Sequence, residues 1–466
     1  MTSPETSGVE LPEMDLLRKF DVPAPRYTSY PTADRFHAGF GVADYEKALA
    51  GRADEKEPSK LSLYVHVPFC NDVCYYCGCN KIVTRDHGKS AEYIEALGRE
   101  ADLVKAHLTG TKTLEQLHFG GGTPTFLTND ELEHLMKTLT DRFPLEADGE
   151  FSIEVDPRTC GPDKVKKLRE IGLNRMSCGV QDFNPDVQKA INRIQPFEMT
   201  KATIDAAREN GFHSVNMDLI YGLPKQTRAS FAETIDKVLE LSPDRIALYH
   251  YAHLPNHFKA QRRILPADLP GTVEKVNIMF DAITRLTANG YRYIGMDHFA
   301  KHDDELSRAQ VEGSLQRNFQ GYSTKADCDM VALGVSGISK IGAAYACNPR
   351  ELDDWYAAIN AGKLATNRGY LLNDDDLMRR FVIMQIMCNF ELRKRDVEER
   401  FGINFDETFA YELSKMKPYV KHELVELYPD RLVVSPKGKI FVRAVAMQFD
   451  RYLRESDRAG GYSRIA

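Results

Sequence analysis

Four cysteines fall within ten residues of this chain, Cys70, Cys74, Cys77 and Cys79, in the stretch LSLYVHVPFCNDVCYYCGCNK from Leu61 to Lys81. Thiolates are the soft ligands that iron–sulfur clusters and zinc select, so metal chemistry is the first candidate. The first three are spaced C-x3-C-x2-C. That spacing lets Cys70, Cys74 and Cys77 meet on one 4Fe-4S cube while one iron keeps no protein ligand. Electron-carrying clusters close the cube with four cysteines; a three-cysteine site leaves a position for substrate chemistry. Two plainer readings compete with it. Structural zinc calls for paired C-x2-C hooks or a later histidine pair, and buried thiols need no metal at all. Cys79 follows Cys77 by only two residues, too near to act as a second zinc hook.

The rest of the composition narrows the class. At 466 residues the chain can hold one large domain with a smaller one, or two to three domains. Apolar residues make up 42% and charged residues 28%, as in an ordinary soluble globular protein. A net charge of −7 argues against general affinity for nucleic acid or anionic membranes, so a polyanionic substrate would need a local basic pocket. Nine cysteines in so long a chain imply a reducing compartment rather than a disulfide framework. The start MTSPETSGVE has no signal-peptide pattern, and no apolar run reaches the roughly 18 residues of a membrane span. A cytoplasmic, oxygen-wary enzyme is expected, without nucleic-acid or membrane partners.

A cysteine loop needs a strand to hold it, and Leu61–Val67 reads as one. From there to about residue 295 short apolar strands alternate with helical stretches. The strands are expected at 61–67, 116–119, 151–155, 175–180, 214–220 and 245–249, with a further one at 293–296. Helices are expected at 91–108, 130–142, 197–210 and 230–241. Such alternation predicts repeated βαβ units and a parallel sheet, closed or partly closed as a barrel. Active groups in such barrels sit at the carboxyl ends of the strands. There the sequence offers Gly120-Gly121-Gly122-Thr123-Pro124, then Glu154, then Gln181-Asp182 with Arg193 just beyond, then Asp218, then Tyr251-Ala252-His253. One polar residue at a strand end is ordinarily a helix cap. Several facing one mouth with the cysteines point to a site.

The flanks are less patterned. Residues 1–10 read as disordered, and 16–36, with three prolines and the run Arg26-Tyr27-Thr28-Ser29-Tyr30, as an extended arm. A short helix at 42–52 and a polar linker at 53–60 complete an N-terminal segment, 1–60. The barrel is assigned to 61–300. Residues 301–350, including Arg317, Phe319, Gln320 and the Gly/Ser run 334–342, read as loops bracing the barrel. Residues 351–466 read as a helical, winged-helix-like domain, with RLVVSPKGKIFVR as a Lys/Gly-tipped hairpin. Its charge-mixed RKRDVEER segment argues against DNA binding.

The motifs YVHVPFCNDVCYYCGCNK, HFGGGTPTFL, SIEVDPR, MSCGVQDFN, VNMDLIYGLPKQT, YAHLP, GMDHFA and RNFQGYST together resemble the oxygen-independent coproporphyrinogen III oxidase family of the radical S-adenosylmethionine (SAM) superfamily. The resemblance runs from RYTSYPT to the C-terminal helices. It implies an α/β fold with a partial (β/α)6 radical SAM barrel, an N-terminal arm and a mostly helical C-terminal domain. It implies Cys70, Cys74 and Cys77 as cluster ligands, with Tyr64, Gly121, Gly122, Thr123, Glu154 and Ile338 about a cluster-bound SAM. A second SAM would lie near Tyr76, Gly78, Gln181, Arg193, Asp218 and Ala252. Cys79 matches a cysteine needed for activity without ligating the cluster. Arg193, Asp218 and Gln320 are further catalytic candidates, Phe319 another functional position, and the arm Arg26–Tyr30 a cover for substrate.

The activity implied is anaerobic oxidative decarboxylation of two propionates of coproporphyrinogen III to vinyl groups, giving protoporphyrinogen IX in haem biosynthesis. The expected partners are that tetrapyrrole and a flavodoxin- or ferredoxin-like electron donor, with the enzyme a monomer. Arg193, Arg26, Arg317 and Arg262 are the candidates for the substrate's carboxylates, because a guanidinium suits them geometrically. A haem-binding chaperone and a haem-modifying radical SAM methyltransferase are the competing readings. Cys79 and the RYTSYPT arm weigh against the chaperone.

Overall fold

The computed structural model describes residues 8–52, 60–325, 327–455 and 462–464. The chain forms two compact units. One comprises Phe36–Ile278 with Asp327–Leu371, and the other Met1–Arg35, Met279–Ala326 and Leu372–Ala466.

The first unit is built on six parallel strands, β1 (Leu61–Val67), β2 (Leu114–Gly121), β3 (Leu145–Val155), β4 (Arg175–Gln181), β5 (Ser214–Tyr221) and β6 (Arg245–His250), adjacent in that order. Between them run α1 (His87–His107), α2 (Asn129–Thr140), α3 (Pro162–Glu170), α4 (Phe197–Glu209) and α5 (Arg228–Leu241). Local chemistry sets these boundaries. Thr128 accepts from the Glu131 amide at 3.2 Å while Glu131 accepts from the Thr128 amide at 2.8 Å, a capping box that starts α2. Leu61, Leu63 and Val65 are fully buried in β1, as a parallel strand covered on both faces requires. The alternation seen in the sequence is this partial barrel.

The sheet does not stop at β1. On its other side lies a parallel β7 (Asp329–Leu333), with Leu61 opposite Asp329, followed by antiparallel β8 (Ile338–Ile341), β9 (Ala344–Cys347) and β10 (Arg368–Leu371). Much of the stretch expected to be bracing loops is therefore sheet. Its run of small residues carries little strand signature, and its pairing partner lies far off in sequence, so local pattern could not reveal it. Glu100 on α1 ties this part down. Its carboxylate accepts from the Gly334 amide at 2.7 Å, Asn348 Nδ2 at 2.7 Å and Trp355 Nε1 at 3.2 Å. Burial nonetheless pushes its carboxyl up to about 7.

The second unit departs from expectation in three places. The segment expected to be wholly extended contains a helix, Met14–Phe20, because Leu17 and Phe20 fall on one face and are buried, while the prolines come only afterwards. The strand expected at 293–296 is Tyr291–Gly295, paired antiparallel with His298–Lys301 rather than continuing the parallel series. The hairpin expected across RLVVSPKGKIFVR does not form. Arg431–Val434 pairs with Val425–Leu427 and Glu391–Arg393, while Lys439–Phe441 and Val442–Ala446 are helical and almost wholly buried. A short apolar run cannot be told from a buried helix by periodicity. The arm tyrosines Tyr27 and Tyr30 are buried, Tyr27 donating to Asp450 at 3.0 Å and Tyr30 accepting from the Arg451 amide at 3.3 Å. The expectations for residues 1–7 and 53–59 lie outside the described residues.

Glu100→Ala would leave the buried Gly334 amide and Trp355 Nε1 without an acceptor, each costing about 1–3 kcal/mol, and reduce Asn348 Nδ2 to its bond with the Gly334 carbonyl. A lowered melting temperature is expected, with Glu100→Gln retaining part of the loss; an unchanged melt would show that these donors find other partners.

Candidate active site

The cysteine loop begins where β1 ends. Phe69–Cys70 pairs in parallel with Ile82–Val83. The Ile82 amide donates to the Pro68 carbonyl at 2.7 Å and the Thr84 amide to that of Cys70 at 2.9 Å. The segment between is thus clamped at its base. The glycine turn after β2 holds the same base from the other side. The Gly122 amide donates to the Val67 carbonyl at 2.8 Å and Thr123 to that of Phe69 at 2.9 Å. A Cβ on Gly122 would stand 2.5 Å from the Pro68 oxygen, and Gly121, at φ +119°, would drive one to 2.8 Å from the His66 ring. Only glycine allows this approach.

These elements enclose a cavity of about 280 Å³ on whose wall Cys70, Cys74, Cys77 and Cys79 all stand. Each of the first three sulfurs has its own environment. Cys70 Sγ is 3.3 Å from Thr123 Oγ1, and burial pushes its thiol up to about 11. The Cys77 thiol is pulled down to about 6, chiefly by a hydrogen bond from the Cys79 thiol, against the opposing effect of burial. The Cys79 amide also donates to Cys77 Sγ at 3.4 Å. Cys74 Sγ accepts from Arg158 Nη2 at 3.5 Å and Arg193 Nη1 at 3.6 Å. Among the described residues no three His, Cys, Asp or Glu side chains are already drawn together around one point, and Cys70, Cys74 and Cys77 share a cavity wall without converging on it. Thiols are the donors that an iron–sulfur cluster takes, and three of them share this cavity.

The polar strand ends meet at the same wall. Glu154 near the end of β3 accepts from the Gly121 amide at 3.1 Å. Gln181 ends β4 in a left-handed conformation, φ +71°, while almost fully buried, a strain that a side chain bears when its direction is constrained. Asp218 on β5 accepts from Ser177 Oγ and Asn216 Nδ2, both at 2.9 Å. Burial, with Glu154 nearby, raises its carboxyl to about 6. Arg193 donates through Nη1 to Asp156 Oδ2 at 2.9 Å and to Cys74 Sγ, and through Nη2 to the Gly179 carbonyl at 2.7 Å, while its Nε makes no hydrogen bond.

Tyr76, Gly121, Gly122 and Thr123 also line the cavity; Tyr64, Gly78, Ala252, Ile338 and Gln320 are not part of its wall. Tyr64 shares a hydrogen bond with His66 Nδ1 at 3.1 Å. Gly78 lies under the Phe258 ring, Ala252 follows β6 beside buried Tyr251, and Ile338 opens β8. Phe319 and Gln320 occupy the turn of a hairpin in the second unit, Gln316–Asn318 with Gly321–Ser323. Of the other arginines, Arg26 is ion-paired with Asp297 and Arg262 donates to the Pro255 carbonyl at 3.0 Å. Arg317, only 7% exposed, lies over the Tyr322 ring at 4.7 Å, with Nε and Nη1 making no hydrogen bond. Sequence reasoning missed Asp156, Arg158, Ser177 and Lys81, all on the cavity wall. Asp156 and Arg158 stand in the motif SIEVDPR at a strand exit, a position that flags them in retrospect.

The Radical SAM superfamily pattern matches residues 64–238, and that of the HemN C-terminal domain residues 372–441. An oxygen-independent coproporphyrinogen III oxidase of Pseudomonas aeruginosa is 48% identical over 455 residues, covering 97% of this chain and 98% of that protein. One of the same description from Escherichia coli K12 is 47% identical over 453 residues, covering 97% and 98%. The solved coproporphyrinogen III oxidase (HemN) of Escherichia coli, described as a radical SAM enzyme, superposes with a TM-score of 0.91 at 46% identity, covering 96% of this chain and 100% of that one. With that likeness over nearly its whole length, and with the three-thiol cavity at the mouth of its barrel, the chain belongs to the oxygen-independent coproporphyrinogen III oxidase family of radical SAM proteins.

Proposed function

We propose that this protein oxidatively decarboxylates two propionates of coproporphyrinogen III to vinyl groups, giving protoporphyrinogen IX without oxygen. The observation that carries the reading is the convergence of Cys70, Cys74 and Cys77 on one cavity with the strand-end groups of the barrel, in a chain of this family. When bound, a 4Fe-4S cluster and SAM supply a 5′-deoxyadenosyl radical able to take hydrogen from an unactivated propionate carbon, which no side-chain base could do. The protein's own residues bind, orient and exclude water.

Cys70, Cys74 and Cys77 hold the cluster, and their number leaves one iron for the methionine end of SAM. The glycine turn at Gly121 and Gly122 lets backbone approach that ligand, with Thr123, Tyr64, Glu154 and Ile338 around it. Gln181, Arg193, Asp218 and Ala252, near Tyr76 and Gly78, are assigned to a second SAM. Cys79 stays a thiol beside Cys77 and serves turnover rather than ligation. Arg317 is the arginine best suited to a substrate carboxylate, since its Nε and Nη1 make no hydrogen bond; Gln320 belongs to the same hairpin. The electron comes from a flavodoxin- or ferredoxin-like protein, and the enzyme works as a cytoplasmic monomer. Free thiols at all nine cysteines, and the lack of any membrane-crossing helix among the described residues, accord with that setting.

Three results test this reading. Reconstituted anaerobically with SAM, a reductant and an electron acceptor, the protein should release two carbon dioxide molecules per coproporphyrinogen III, with 5′-deoxyadenosine and methionine formed. A tetrapyrrole recovered intact with each acceptor tried would overturn the assignment. Cys79→Ser should keep the iron content of the unaltered protein yet lose decarboxylation, whereas Cys77→Ser should lose iron; equal iron loss in both would make Cys79 a ligand. Asp218→Asn should reduce turnover roughly tenfold or more if the carboxylate orients charge in the reacting complex. The same change should raise stability at pH 8. The folded carboxyl is raised to about 6 from 3.8, so its contribution is full below 3.8 and is lost as pH rises through about 6. The stability gain should therefore shrink as pH falls below 6; a gain independent of pH would contradict the buried charge.

A further inference from the structure

The cavity wall holds three charged side chains that bracing alone does not explain. Asp156 directly follows β3 and is 6% exposed; Arg193 is 5% exposed. Asp156 Oδ2 accepts from Arg158 Nη2 at 2.7 Å and from Arg193 Nη1 at 2.9 Å, and Arg158 Nε lies 3.0 Å from Oδ1. Arg193 Nη2 is fixed on the Gly179 carbonyl. Both guanidinia are thereby aimed at one atom, Cys74 Sγ, at 3.5 and 3.6 Å. The trio carries a net charge of +1 against that sulfur. The other two sulfurs are treated differently: Cys70 faces the Thr123 hydroxyl and Cys77 the Cys79 amide. A hydrogen bond to a ligating thiolate withdraws electron density from it, and the potential of an iron–sulfur cluster follows such bonds and the local charge. In a site removed from water these effects are screened little.

We propose that Asp156 is a positioning residue that holds Arg158 and Arg193 on Cys74 Sγ, and that these two donors raise the reduction potential of the cluster held there. The inference rests on the reading of Cys74 as a cluster ligand. Reduction adds one electron, supplied by an external reductant, to the cluster; no bond forms or breaks in that step. The added negative charge is what the two guanidinia stabilise. Charge at Cys74 would thus ease electron entry into a cluster held there.

The test is a redox titration of the reconstituted protein without SAM, read by electron paramagnetic resonance of the reduced cluster, with iron content and thermal melt measured alongside. Arg158→Met should lower the ratio of reduced to oxidised cluster about tenfold at a fixed potential, which for one electron is about 59 mV. Arg158→Lys, which keeps the charge but loses the forked donor, should fall between the two. Should Arg158→Met fail to load, Arg158→Lys carries the test alone through its shift. A midpoint equal to that of the unaltered protein, in whichever variant retains full iron, would reduce the trio to bracing and overturn the proposal. If the unaltered protein itself takes up no cluster, or Cys74→Ser takes up a full one, the ligand assignment fails instead.

Discussion

The backbone contact between the glycine turn and the base of the cysteine loop is the constraint on which the site depends. Gly122 and Thr123 donate to the carbonyls of Val67 and Phe69, on either side of Pro68. Nothing larger than hydrogen fits at Gly122, because a Cβ there would meet the Pro68 oxygen. This contact joins the exits of β1 and β2, adjacent strands whose registry places Val67 opposite Gly121. Three thiols can share a cavity only if the loop bearing them has a fixed base, and this pair of hydrogen bonds with the Phe69–Cys70 pairing to Ile82–Val83 provides it. Sheet geometry thus decides where the metal chemistry can occur.

Much of that sheet was legible because each barrel strand is followed by a helix, and the change between the two periodicities is local. The six strands β1 to β6 fall where the alternation put them. What escaped was non-local or ambiguous. β7 pairs with β1 across more than 260 residues, and no pattern within Asp329–Leu333 names its partner. Ile440 to Ala446, apolar but for Arg443, is a stretch whose length suits a strand or a buried helix equally, and it folds as buried helix. The site divides the same way. Cysteine spacing and strand-end polarity exposed most of the cavity wall. Arg158 was silent, because its meaning lies in a sulfur 84 residues earlier in the chain.

Buried charge is distributed here in two ways. Glu100 is saturated by three donors that link α1 to Gly334 after β7, Asn348 after β9 and Trp355 on the helix Leu352–Asn360, so its burial supports the fold. Asp218 has only Ser177 and Asn216 for donors and sits at a cavity with a second carboxylate, Glu154, close enough to raise its proton affinity further. A carboxylate kept under such conditions costs stability that an uncharged side chain would not. Sites that must bind charge accept such costs where the scaffold does not.

The overall charge of −7 conceals how positive charge is used. A protein that meets a substrate bearing four carboxylates has no need of a basic surface if its cations are buried and aimed. Arg193, a candidate for such a carboxylate, holds Asp156, Gly179 and Cys74 through Nη1 and Nη2 and keeps Nε unbonded. Arg26 is neutralised by Asp297. Arg317 differs from both: its guanidinium lies over the Tyr322 ring, and its buried Nε and Nη1 make no hydrogen bond. Arginine can separate these two modes of contact because its charge is delocalised over a plane. Side chains of one type therefore stand in different settings in this chain, told apart by the partners each already has: a carboxylate for Arg26, a carboxylate with a carbonyl and a thiol for Arg193, an aromatic face for Arg317.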